Sequence, residues 1–214
     1  LSEFLHDLKS PIACISAYLQ LVKENDIHVD EKTQEKIDMI EKNYEELSVQ
    51  IRSIQDFNAG ISPVSRREKF DLRQLAETYY LRNRQDVEVF GPLFLLSLPP
   101  SPCPMQGNPE SIARAIENMV FNSMDFTPPE GKIVLSLTME NGNYLLSVSD
   151  TGCGIDEDTL PHIFERSFST RKEEGGNGLG LFLVKTIAQE HQGNVSAESV
   201  PGEGCRITLT LPAT

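Results

Sequence analysis

Positive charge is scarce in this sequence: 19 Lys and Arg stand against 32 Asp and Glu, for a formal net charge of −13. A nucleic-acid binder needs a basic face to neutralise phosphates. None is visible, so no nucleic-acid partner is expected. Cysteine is sparse as well. The 4 thiols, Cys14, Cys103, Cys153 and Cys205, are widely scattered, without metal-ligand spacing or a disulfide framework. They read as free thiols of a reducing compartment, which makes the expected location cytoplasmic. No apolar run approaches the roughly 18 residues of a membrane span, and no signal-peptide pattern is read. The key histidine comes five residues after Leu1. The chain, which begins abruptly on Leu1, is therefore expected to be a fragment, with any membrane contact in segments upstream.

What is present is the material of a soluble globular protein: 214 residues, 39% hydrophobic and 24% charged, enough for one large domain or two small ones. From Leu5 the apolar residues run Leu8, Ile12, Ile15, Leu19, Val22, with alternating spacings of three and four. After the polar break "NDIHVDEK" the pattern returns as Ile37, Ile40, Tyr44, Leu47, Ile51, Ile54. Each series is a heptad seam, and the short connection makes the two helices antiparallel neighbours. Two narrow seams bury little surface alone. A homodimer that doubles the hairpin into a four-helix bundle is the expected solution.

His6 follows a seam position and should lie at the rim of that bundle. Asp7 is beside it, and Ser10 shares its helical face. Pro11 removes the bond that its N–H would give to the Asp7 carbonyl, a cost of about 3 kcal/mol in a helix interior. A histidine alone on a helix is usually a surface residue; these neighbours set His6 apart. Around "FNAGISPVSRREKFD" the heptads stop. The expected organisation is a hairpin over 1–58, a linker over 59–69 and a second domain over 70–214.

The second domain alternates helical and strand patterns. "DLRQLAETYYLRNR" and "NPESIARAIENMVFNSM" have helical periodicity, the latter with Asn108 as N-cap and Pro109 at the first helical position. "KIVLSLTME" and "NYLLSVSD" are strands joined across Asn141-Gly142, a strong hairpin signal. "LGLFLVKTIAQEHQG" reads as a helix ending at Gly193, and "NVSAES" and "CRITLTLP" as a strand pair. Helices interspersed with antiparallel strands predict an α+β fold, one helical layer on one sheet.

Three segments carry chemistry. In "ENMVFNS", Asn118 and Asn122 share a helix face, and asparagine carbonyls are hard oxygen ligands suited to Mg²⁺. Taken alone, the pair reads rather as two polar residues capping or solvating a helix. In "DTGCGID", Asp150 ends a strand before Gly152 and Gly154. A carboxylate there can accept from an exocyclic amino group, while the glycines let backbone approach a flat ring; an ordinary Asp-Thr-Gly turn is the alternative. In "GGNGLGL", four glycines precede a helix, whose N-terminal N–H groups suit a phosphate. No Gly-Lys-Ser/Thr follows, so this is not a Walker A loop.

These motifs stand in one order: His-Asp-Leu-Lys-Ser-Pro, Asn-x-x-x-Asn, Asp-x-Gly-x-Gly, "IFERSFSTRK" and "GGNGLGL". In this the chain resembles the sensor histidine kinases of two-component systems, with a HisKA-type dimerisation and phosphotransfer hairpin joined to a GHKL-type ATP-binding α/β sandwich. The resemblance covers nearly the whole chain. It implies that His6 is the phosphoacceptor, with Asp7 orienting its ring or accepting its proton. It implies Mg²⁺ on Asn122, with Asn118 near the phosphates of ATP, and adenine read by Asp150. Gly152, Gly154, Gly176, Gly178 and Gly180 would line the nucleotide pocket and its lid. Asp125, Phe126, Ile155, Phe168, Arg171, Lys172, Leu179 and Leu181 would complete it. The implied partners are a second copy of the chain and a response-regulator receiver domain, none of which is visible within the chain.

Two positions depart from the family pattern. Where relatives often have Lys or Arg and then an aromatic, this chain has Asp125-Phe126. An acid facing phosphates would weaken ATP binding unless Arg171 or Lys172 offsets it, and Glu173 and Glu174 add negative charge. Ser10 stands where many relatives have the Thr or Asn linked to dephosphorylating the partner. One rival reading is a degenerate kinase that acts as a regulatory dimerisation module, supported by Asp125. Another is an ATPase of the chaperone or DNA-repair kind, which leaves the histidine hairpin unexplained and tends to have Glu where Asn118 stands.

Overall fold

The computed structural model describes residues 67–89, 91–170 and 178–213, together with Ile40. The expected hairpin apart from Ile40, its four-helix bundle, His6, Asp7, Ser10, Arg171, Lys172 and Gly176 lie outside the described residues. The chain divides into two compact units, and the elements below belong to the one spanning Ser62–Ser169 and Gly178–Thr214. In chain order these are β1 (Glu68–Asp71), α1 (Leu72–Val89), β2 (Leu93–Ser97), β3 (Pro104–Gly107) and α2 (Pro109–Phe126). Then follow β4 (Lys132–Glu140), β5 (Asn143–Asp150), a 3-10 turn (Leu160–His162), α3 (Gly180–Glu190), β6 (Asn194–Val200) and β7 (Gly204–Pro212).

Five strands form one sheet in the order β2-β4-β5-β7-β6, and β1 pairs with β3 in a small second sheet. The expectation of antiparallel strands alone is corrected at the sheet edge. β2 runs parallel to β4, with Leu95 opposite Val134. The reason is the connection: β3 and α2 intervene between them, and such a crossover brings the chain back in the same direction. The remaining pairs are antiparallel. β1, β2 and β3 are short strands that the sequence pattern did not separate from their surroundings.

Local chemistry explains the element ends. Asn108 has extended backbone and its side chain accepts from the Ser111 N–H at 3.1 Å, which caps α2 ahead of Pro109. Asn141 and Gly142, at φ 49° and 78°, make the left-handed pair of a tight hairpin between β4 and β5. α1 continues to Val89, beyond the expected stretch. α3 stops at Glu190, three residues before the expected Gly193, because Gln192 at φ 60° turns the chain and the Gly193 N–H returns to the Ala188 carbonyl at 2.8 Å. Gly193 itself must be glycine, since a Cβ there would lie 2.0 Å from the Thr210 carbonyl oxygen.

Period-two alternation sends Ile133, Leu135 and Leu137 of β4, Tyr144, Leu146 and Val148 of β5, and Ile207, Leu209 and Leu211 of β7 to one face. Against them α2 buries Ile112, Ala115, Ile116, Met119 and Val120, and α3 buries Leu183, Val184, Ile187 and Ala188. Each large side chain so buried contributes about 1.5–3 kcal/mol relative to exposure. The result is an α/β sandwich with its core between the helices and one sheet face. Buried His191, just past α3, ties that helix to the start of α2.

Candidate active site

Asp150 is the last residue of β5, on the face that carries Tyr144, Leu146 and Val148 into the core. It therefore points between sheet and helices where the sheet runs out. Its Oδ1 accepts the Gly152 N–H at 3.0 Å and the Cys205 N–H at 3.2 Å. Its Oδ2 accepts the Ser123 hydroxyl of α2 at 2.9 Å. Three separate segments thus hold one carboxylate. Ser123, only 1% exposed, is not among the residues that the sequence singles out. The signal was in principle there, because Ser123 continues the buried stripe of Ile112, Ile116, Met119 and Val120, and a buried hydroxyl needs a partner.

The turn after Asp150 is tight. A Cβ on Gly152 would sit 2.4 Å from the Phe126 carbonyl oxygen. Gly154 has φ +69°, and a Cβ there would meet the Val200 oxygen at 2.1 Å. Both glycines are thus required by the approach of the protein's own backbone. Ile155 follows, its N–H donating to the Ser199 hydroxyl at 2.8 Å, which donates in turn to the Gly204 carbonyl at 2.8 Å.

Asn118, Asn122 and Asp125 follow one another at spacings of four and three along one flank of α2. The Asn118 amide donates to the Arg114 carbonyl at 2.8 Å, and a Cβ on Gly180 would lie 2.9 Å from Asn118 Oδ1. The fold therefore brings Asn118 to the N-terminus of α3. Among the described residues no hydrogen bond engages the Asn122 amide, so its carbonyl oxygen is available to a ligand. That fits Mg²⁺, which takes few protein oxygens and completes its octahedron with waters and phosphates.

The sequence also singles out Phe168, Gly178, Leu179 and Leu181. A Cβ on Gly178, at φ +60°, would be 2.2 Å from the Phe168 oxygen, and the Ser167 N–H donates to the Gly178 carbonyl at 3.0 Å. Leu179 accepts the Leu183 N–H at 2.9 Å as α3 begins. Leu181 and Ile155 pack, partly buried, against the core. His162 Nδ1 lies 2.8 Å from Glu165 Oε1, and its ring centroid is 6.0 Å from that of Phe168. An open cleft of about 560 Å³ runs beside Asp150, lined by Asp125, Phe126, Thr127, Pro128, Thr151, Gly152, Cys153 and Gly202. Among the described residues, the expected nucleotide residues that line it are Asp125, Phe126 and Gly152, so it adjoins the Asp150 and Asn118 corner without being the same space. Among the described residues no three His, Cys, Asp or Glu side chains cluster as a metal site.

A model of the "Histidine kinase-, DNA gyrase B-, and HSP90-like ATPase" family matches residues 107–214, half of the chain. The chain belongs to this ATPase family. Membership agrees with the α/β sandwich and with the histidine-kinase resemblance of its motifs. Among relatives of this chain, the sensor histidine kinase CpxA of Escherichia coli (strain K12) is 28% identical over 218 residues, 99% of this chain and 46% of that protein. The circadian input-output histidine kinase CikA of Synechococcus elongatus is 29% identical over 223 residues, 99% of this chain and 29% of that protein. The chain thus spans less than half the length of each of these two relatives. The catalytic domain of histidine kinase ThkA shares the fold with TM-score 0.63 at 23% identity, over 70% of this chain and 97% of that one. ThkA in complex with response regulator protein TrrA gives TM-score 0.69 at 21% identity, over 100% of this chain and 60% of that one. Among the described residues no helix is long and apolar enough to cross a membrane.

Proposed function

We propose that this chain is the phosphotransfer and ATP-binding portion of a sensor histidine kinase, with a hairpin over 1–58, a linker over 59–69 and an ATP-binding domain over 70–214. In the reaction a ring nitrogen of His6 attacks the γ-phosphorus of ATP. A P–N bond forms, the bond to the β-phosphate bridging oxygen breaks, ADP leaves, and the imidazole proton passes to Asp7. The phosphoryl group then moves to an aspartate of a receiver domain on a response regulator. Phosphoryl transfer demands positioning and charge neutralisation more than covalent help from the protein. Mg²⁺ bound at Asn122 would neutralise phosphate charge, with Asn118 beside it. Pro11 loosens the helix near His6 so that two different domains can reach it, and the hairpin is expected to pair with a second copy of the chain.

The observation that carries this reading is the triply held carboxylate of Asp150 at the end of β5, a fixed acceptor for an amino group beside a cleft. It supports adenine recognition. The test is incubation of the whole chain with γ-labelled ATP and Mg²⁺ beside His6→Gln and Asn122→Ala. Acid-labile, alkali-stable label that vanishes in both variants is expected. No label in a folded, dimeric unchanged chain would point to the second reading, a regulatory dimerisation module. Asp125 on the cleft wall is the observation that favours that one.

A further inference from the structure

Asp150 has more donors than a base-reading carboxylate needs, and their arrangement is uneven. A carboxylate offers about four lone-pair directions. The Gly152 and Cys205 N–H groups take both of those on Oδ1, at 3.0 Å and 3.2 Å. The Ser123 hydroxyl takes one on Oδ2 at 2.9 Å. One acceptor direction on Oδ2 is left.

Ser123 is itself constrained. It is 1% exposed, and its carbonyl accepts the Thr127 hydroxyl as α2 ends. A buried hydroxyl in this position has one proton to give, and the Asp150 oxygen receives it. The two oxygens turn together about the Cβ–Cγ bond, so the N–H bonds on Oδ1 and the Ser123 bond on Oδ2 restrain the same rotation from opposite sides. Ser123 supplies the restraint on Oδ2 from the helix side and takes one of its two acceptor directions. Without it the carboxylate would be held through Oδ1 alone and would turn Oδ2 less sharply toward a ligand's donor.

We propose that Ser123 is a positioning residue for base recognition: by holding Oδ2 it leaves Asp150 a single, directed acceptor and so makes the site select 6-amino purines over 6-oxo purines. The inference rests on the reading of this corner as a purine-nucleotide site. The 6-amino group of adenine has a proton to give to that acceptor. A 6-oxo group presents lone pairs to lone pairs, and a fixed Oδ2 cannot turn away from them. Discrimination therefore depends on the rigidity of the carboxylate as well as on its presence, as expected where a site's polar group is left unpaired by the wrong ligand.

The experiment measures binding of ADP and of inosine diphosphate, each with Mg²⁺, by titration calorimetry. It compares the whole chain with Ser123→Ala and with Ser123→Cys, which keeps the volume but has only a weak S–H donor. Circular dichroism melts establish that each variant is folded. The unchanged chain is expected to prefer ADP. In Ser123→Ala the ADP affinity should fall about five-fold or more while that for inosine diphosphate falls less, so the ratio narrows; this is the scale of one lost hydrogen bond. Ser123→Cys should narrow the ratio too, and it reads the effect should the alanine variant fail to fold. Parallel losses for both nucleotides, or an unchanged ratio, would overturn the role of Ser123 while leaving nucleotide binding intact. Binding of neither nucleotide by the folded, unchanged chain would overturn the nucleotide reading and this inference together.

Discussion

The Nε2 of His191 accepts the N–H of Asn108 at 2.9 Å, across 83 residues of sequence. A backbone N–H can only donate, so the ring carries its hydrogen on Nδ1, which donates to the Ile187 carbonyl at 2.8 Å. The two bonds couple the end of α3 to the residue that caps α2. Gly107 leaves room for the ring, because a Cβ there would lie 2.6 Å from His191 Cδ2. His191→Ala should lower unfolding stability by about 1–3 kcal/mol, since it removes a buried ring and leaves the Asn108 N–H without its acceptor. Urea unfolding of the two chains measures it, and a loss below 0.5 kcal/mol, roughly the effect of an ordinary surface change, would contradict the coupling.

Two glycines with similar backbone should respond very differently to alanine. Gly142 has φ +78° with nothing within 4 Å of a Cβ, whereas Gly154 has φ +69° and the Val200 oxygen at 2.1 Å. Gly142→Ala should cost only the left-handed preference, about 1–2 kcal/mol. Gly154→Ala adds a backbone clash and should cost more, together with a loss of ADP affinity. Thermal melts rank the pair; equal shifts would show that the turn after Asp150 yields easily.

The thiols should separate by reactivity. Cys153 is exposed on the cleft wall, while Cys103 and Cys205 are buried. Iodoacetamide at neutral pH, followed by peptide mass mapping, should modify Cys153 well before Cys103 or Cys205. Bound ADP should slow the reaction at Cys153 if the nucleotide reaches the 152–154 turn, and protection at Cys205 alone would place it elsewhere.

Burial, reinforced by the Asp150 carboxylate, pushes the Cys205 thiol up from 9.0 to about 11. The folded chain then holds this proton more tightly than the unfolded chain. Its contribution to stability is complete below pH 9 and declines as pH rises toward about 11. Cys205→Ser should flatten that part of the stability curve. Urea midpoints taken at intervals between pH 8 and pH 10.5 would reveal it, and parallel curves would refute the assignment.

Reversing the charge at Asp125 should help anions. The residue is exposed beside the cleft, so the effect is a screened one, expected at a few-fold tighter ADP binding at low salt and less at high salt. Asp125→Lys measured at two ionic strengths checks it. Unchanged affinity at low salt would mean that the carboxylate does not face the phosphates.

Where a local rule sufficed, the sequence was legible. β4 and β5 end where their alternation ends, the Asn141-Gly142 turn joins them, and Asn108 caps α2. The edge strand β2 was missed because "LFLLS" is five residues with no turn signal of its own, and its parallel partner lies beyond a helix. Ser123 escaped notice for the same reason. Its meaning depends on the end of β5 arriving beside the last turn of α2, a relation that no periodicity encodes. Asn118 and Gly180 were picked out separately, 62 residues apart in the chain; only the packing of α2 on α3 makes them neighbours.

The position of β7 sets an order of events during synthesis. Although it is the last of the described strands to be made, it lies inside the sheet, between β5 and β6. Until residues 204–212 leave the ribosome, β5 has an open edge on that side and Asp150 lacks its Cys205 donor. Non-local pairing of this kind comes late in folding. A nascent chain that has completed α1, α2 and α3 therefore still lacks one of the three donors that hold Asp150.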